Sequence, residues 1–205
     1  MSDHDCDGLL ASAENRAKEL SSAARQELVE DLARFLGAGS RVWTISRRTR
    51  LRRLLADAGV ISLGPVLGTV ADTPRDDVMD EAVAVLSSAA ELHEDVAVWL
   101  IDTLGGAQGV AGPSALPPLR EVMLRAIAHS RSQLARQSRV RIAFQLARDD
   151  SSPAVRDAAI QALSTMGVRE GGAVLATLVE SLRTTEDSPQ VLESIDQALD
   201  TLRSH

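Results

Sequence analysis

The segment from Asp150 to Met166 recurs without a gap 36 residues further on. Asp150, Ser152, Pro153, Val155, Ala162, Leu163 and Met166 have counterparts in Glu186, Ser188, Pro189, Val191, Ala198, Leu199 and Leu202. An acid, a hydroxyl residue, a proline and an apolar face therefore keep their register. Proline is suited to the first position of a helix, and the serine before it can cap that helix through its side-chain oxygen. A unit of this length holds two helices and two turns, and its apolar face cannot be buried alone. Such units must stack on their neighbours to make a core.

The same boundary signal occurs as Asp72, Thr73 and Pro74, and more loosely as Gly112 and Pro113. From Pro74 through Pro113 and Pro153 to Pro189 the intervals are 39, 40 and 36 residues. Apolar residues recur at helical spacing between these marks, as in Leu28, Leu32, Phe35 and Leu36, in Leu51, Leu54, Leu55 and Ala58, or in Ala158, Ala159 and Ala162. No stretch alternates convincingly with period two, and Val60 to Val70, with its glycines, is the weakest helix. Two Trp, two Phe and no Tyr leave the interior to Leu, Val, Ala and Ile, which suit close helix-on-helix packing. The spacing predicts hairpins of 22–37 with 41–57, 60–71 with 74–90, 91–104 with 113–130, 132–148 with 153–167, and 171–184 with 189–203. Residues 6–20 would form a leading cap, with 1–7 expected to be disordered.

Asp150, Pro153, Val155, Arg156, Ala158, Ala159, Ala162, Leu163 and Gly167 resemble the turn and second helix of a HEAT repeat, of the short type found in bilin-lyase-like proteins. The likeness extends to the segment beginning at Pro189. It implies an all-α solenoid of stacked antiparallel hairpins, about five in number plus the cap, forming one domain over 1–205. It also implies a protein-interaction scaffold. In that family the turn Asp and the following Arg often bridge adjacent repeats, a role that would fall on Asp150 and Arg156. Leu192 stands where the next Arg belongs, so such a ladder would end there.

The single cysteine, Cys6, cannot form an intramolecular disulfide, and no apolar signal core follows the acidic first residues. A cytoplasmic protein is expected. The longest apolar stretches fall far short of the roughly 20 residues of a membrane span.

Net charge is −7, but it is unevenly spread: −4 over 1–39, +6 over 40–56, −9 over 57–104, +6 over 105–148 and −6 over 149–205. Arg47, Arg48, Arg50, Arg52 and Arg53 crowd one helix, with Trp43 a turn before them. Arg125, Arg131, Arg136, Arg139, Arg141 and Arg148 form a second concentration. These clusters either form a positive surface for acidic protein groups or phosphate backbone, or pair with the acidic helices beside them.

Signals for catalysis are weak. His4, His93, His129 and His205 include no pair at the i, i+4 spacing of a helical metal site, and Ala97 stands where a zinc-protease motif starting at His93 and Glu94 needs its second histidine. Carboxylates around Cys6 disfavour a thiolate nucleophile. The glycine-rich stretch 105–112 lacks the Lys and Ser or Thr of a phosphate loop. No metal or cofactor is expected. One enzyme-like alternative remains, because some bacterial DNA glycosylases are HEAT-like and hold DNA with Trp and Asp, and Asp95, Trp99 and Asp102 share a helix face. The reading favoured by the whole pattern is a non-enzymatic adaptor that binds a protein, with Arg47, Arg48, Arg50, Arg52, Arg53, Arg125, Arg136, Arg139 and Arg141 as contact residues. A nucleic-acid binder related to DNA repair is the alternative.

Overall fold

The computed structural model describes residues 3–16, 22–37, 44–106, 116–130, 135–170 and 172–204. Among these residues every regular element is a helix: α1 (Asp3–Arg16), α2 (Ser22–Gly37), α3 (Ile45–Asp57), α4 (Val60–Asp72), α5 (Asp76–Leu92), α6 (Glu94–Leu104), α7 (Pro117–His129), α8 (Arg136–Asp149), α9 (Pro153–Glu170), α10 (Gly172–Leu182) and α11 (Pro189–Arg203). None of them is long and apolar enough to cross a membrane. α1 begins at Asp3, three residues before the expected cap helix of 6–20 and inside the stretch 1–7 expected to be disordered. The chain divides into two compact units, Met1–Val96 and Ala97–His205.

In the first unit α1 packs on α3, α2 on α4, and α3 on α5. The weakest expected helix, α4, forms despite Pro65 in its interior and glycines at 64 and 68. Leu63, Val66, Leu67 and Val70 are at most 3% exposed, so packing overrides the poor intrinsic propensity. The two glycines face open space on the opposite side. The Thr69 hydroxyl bonds the α2 carbonyl of Ala33 at 3.1 Å and the Pro65 carbonyl at 3.0 Å, tying the two helices together.

In the second unit α9 packs on both α7 and α11, while α8 and α10 also lie against α9. Its regularity exceeds the sequence expectation. α7, α9 and α11 begin at Pro117, Pro153 and Pro189, 36 residues apart each time, and α8 and α10 begin at Arg136 and Gly172, again 36 apart. The inward positions repeat with them. Leu119, Val155 and Val191 are equivalent and buried, as are Met123, Ala159 and Ile195, Ala126, Ala162 and Ala198, and Ile127, Leu163 and Leu199. Within each helix these four positions form one stripe at i, i+4, i+7 and i+8, so one helix face closes the core in every case.

Two expected boundaries are corrected. α5 starts at Asp76, with Arg75 as its cap, so Pro74 precedes the helix rather than opening it. α7 starts at Pro117, with Leu116 at the cap position; Pro113 lies outside the described residues. The capping chemistry also differs from expectation. Ser188 makes no side-chain cap bond; the Glu186 carboxylate accepts the Ser188 N–H at 2.8 Å and the Asp187 N–H at 3.0 Å. Asp150 likewise accepts the Ser152 N–H at 2.8 Å. The acid two residues before the serine organises each turn, because its longer reach and full charge make it the better acceptor.

Close approach at the end of the second unit depends on glycine. A Cβ at Gly172 would stand 2.3 Å from the Leu202 backbone oxygen, and one at Gly167 would meet the Leu202 side chain. Without side chains there, the start of α10 rests directly on the end of α11.

Candidate functional site

The two arginine concentrations have different fates. On α3, Arg47 donates to both Asp7 carboxylate oxygens at 2.8 and 2.6 Å, and Arg50 to both of Glu14 at 2.8 and 2.7 Å. Arg52 reaches across to Glu81 of α5 at 2.6 and 2.8 Å, with Arg48 at 3.7 Å from the same carboxylate. Arg53 faces outward, 82% exposed, 3.8 Å from Asp57. The alternation of charge along the first part of the sequence is thus an alternation of pairing partners on α1, α3 and α5. The Arg50 guanidinium holds the Glu14 carboxyl below its ordinary pKa by hydrogen bonding. Trp43 lies outside the described residues.

In the second unit the basic residues separate into structural and outward-facing groups. Arg139 is only 1% exposed and donates to the Ile127 carbonyl at 3.0 Å and to the Ser130 carbonyl. Arg169 donates to the His129 carbonyl at 3.0 Å. Together they satisfy carbonyls at the C-terminal end of α7, where positive charge also complements the helix dipole. Arg139 presents no charge to a partner. Arg125 is half-buried on α7, whereas Arg136 and Arg141 are exposed. Arg148 folds over the Phe144 ring, 5.9 Å from its centre, and chelates Asp149. Arg131 is outside the described residues.

A second arrangement was only half visible in the sequence. Arg120 and Asp150 form a buried ion pair, Nε to Oδ2 at 3.0 Å and NH2 to Oδ1 at 3.1 Å, each side chain 3% exposed. Arg156 forms the equivalent pair with Glu186 at 2.8 and 2.7 Å, and it also donates to the Asp150 carbonyl at 3.0 Å. Arg120 stands 36 residues before Arg156, just as Asp150 stands 36 before Glu186. The expected Asp150 and Arg156 bridge is therefore corrected in detail: Asp150 receives Arg156 through its backbone oxygen and gives its carboxylate to Arg120. At the next equivalent position Leu192 stands in place of an arginine.

The guanidinium of Arg156 and the Ser188 and Asp187 N–H groups overcome desolvation and hold the Glu186 carboxyl down to about 2 from an ordinary 4.5. Its folded pKa is depressed, so the stabilisation is complete above about pH 4.5 and is lost as the pH falls through about 2. After allowance for solvent screening it amounts to about 1–2 kcal/mol. Urea unfolding at about pH 6 is expected to show Glu186→Gln as the less stable protein, with the gap closing by about pH 2. A gap independent of pH would mean that the carboxylate charge contributes nothing.

The outward-facing arginines border a groove of about 850 Å³ between the start of α8, the start of α10 and the end of α11. Arg136, Arg141 and Arg203 supply its charge, and Val140, Val174 and Leu202 its apolar surface. Val174 is 72% exposed. Of the three cations, Arg203 is paired with Glu180 at 2.7 Å, while Arg141 has no ion pair among the described residues. Nothing local in the sequence marks Val174 or Arg203 as surface-forming partners of Arg136 and Arg141, because the groove is created by the contact of Gly172 with α11.

On α6, Asp95 and Asp102 are exposed and Trp99 is half-buried, with the Asp95 carboxylate accepting the Val96 N–H at 3.0 Å. No protein-family model matches the chain, and no curated protein or solved structure shows significant similarity to it.

Proposed function

We propose that the chain is a non-enzymatic protein-interaction module, built of HEAT-like helical repeats, which receives a partner protein on an exposed face of its second unit. The observation that carries this reading is the 36-residue equivalence of α7, α9 and α11, with Arg120 and Asp150 matched by Arg156 and Glu186. Helices equivalent in start and inward stripe, two of them also in ion pair, are what a stack of repeats requires, and such stacks characteristically offer elongated binding surfaces. Stacking in this way uses one side of each helix for the core and leaves the other available.

Pairing on α3 favours a protein over a nucleic acid. Arg47, Arg50 and Arg52 already neutralise Asp7, Glu14 and Glu81, so counterion release on phosphate binding would gain little from them. A net charge of −7 adds long-range repulsion to a polyanion.

Affinity purification of the tagged chain from its native cells, with and without nuclease, separates the readings. A defined protein retained in both runs is expected. An eluate carried by nucleic acid and emptied by nuclease, or one with no specific protein, would contradict the proposal.

A further inference from the structure

From the α8/α10/α11 groove we infer that the partner is recognised through an acidic segment bearing two or three aliphatic side chains, an inference that rests on the protein-interaction reading above. Charge and shape select this occupant. Arg141, which has no ion pair among the described residues, stands beside the apolar surface of Val140, Val174 and Leu202, with Arg136 and the Glu180-paired Arg203 also at the rim, and among the described residues lining the groove none is acidic. Neither α8 nor α10 has an acid in its first turn, so the positive ends of both helices add to the charge of Arg141. Aliphatic side chains would cover Val174 and Val140 while carboxylates reach the guanidinium groups at the rim. Apolar anchors and a complementary charged edge supply affinity and orientation respectively.

The volume is that of a site for a few side chains, and a single amphipathic turn or two matches it. Nucleic acid fits the same surface less well. Among the described lining residues none is aromatic, so bases would find no ring there to stack on, and the floor between the arginines is apolar where a phosphate backbone needs polar contacts.

Selection of a random twelve-residue peptide display library on the immobilised full chain tests the inference. Enriched peptides are expected to combine Asp or Glu with Leu, Ile or Val. Their binding to an Arg141→Glu, Val174→Asp double variant should weaken about tenfold or more, with an unchanged thermal melt, since both side chains lie at the surface. Conversely, Arg34→Glu, an exposed position on the other unit, should leave binding intact. Enriched peptides without acids, binding indifferent to the double variant, no enrichment, or a labelled RNA binding at the groove in their place would each overturn this assignment. A protein retained in the purification above would still uphold the interaction reading in those cases, and its absence would remove that reading independently.

Discussion

Replacing Arg120 by alanine is expected to destabilise the second unit by about 3–5 kcal/mol, among the largest effects of any single change in the chain. Both members of the Arg120 and Asp150 pair are 3% exposed, so removing the cation leaves a carboxylate buried without its counter-charge. Its bond to the Ser152 N–H holds it in place and prevents it from turning to water. Neutralising the acid as well should recover much of the loss. An Arg120→Met, Asp150→Asn double variant retains an acceptor for Ser152 and buries no charge, so it should lie well above Arg120→Ala in stability. Urea unfolding of the three proteins gives the comparison, and a loss below about 1 kcal/mol in Arg120→Ala would place this pair among ordinary surface ion pairs. The Arg34 and Asp31 pair, 72% and 46% exposed, is of that weaker kind.

How far the sequence disclosed this arrangement can be traced through particular residues. α9 and α11 were legible because Pro153 and Pro189 each precede an apolar stripe of helical period. α7 was not placed correctly, since Pro113 in the glycine-rich stretch offered an earlier start and Leu116 is no capping residue. That shift concealed the constant interval from Pro117 to Pro153 and, with it, the equivalence of Arg120 to Arg156. Arg139 misled for a different reason. Within a run of arginines it reads as surface charge, yet the approach of α8 to the end of α7 turns it onto two backbone carbonyls, and nothing local distinguishes it from Arg136 or Arg141. The α3 arginines, by contrast, carried a readable signal: acids on either side of them in sequence become their partners in space.

The groove lay beyond sequence reasoning because it arises from tertiary closeness at a residue with no side chain. Gly172 lets α10 touch the Leu202 carbonyl, and this brings Val174 and Arg203 beside the first turn of α8. A resemblance confined to the α9 and α11 segments contains no information about that corner.

The second large effect concerns the repeat itself. Removing residues 151–186 joins Asp150 to Asp187, Ser188 and Pro189, which keeps an acid three residues before the helix-starting proline and keeps Arg120 opposite Asp150. α11 would then present Val191, Ile195, Ala198 and Leu199 to α7, at the positions from which Val155, Ala159, Ala162 and Leu163 now face it. In the stack of repeats proposed above, nearest-neighbour packing would make such a whole-unit deletion tolerable, at the cost of the interface lost with the unit. A deletion of half that length, residues 151–168, removes most of α9 and joins α8 to α10 out of register, so the unit should lose its fold. Thermal unfolding of the two deletion proteins followed by far-ultraviolet circular dichroism therefore measures whether the 36-residue equivalence is the organising principle of the second unit. A cooperative transition retained by the whole-unit deletion and abolished by the half-unit deletion is the predicted result; equal behaviour of the two proteins would contradict it.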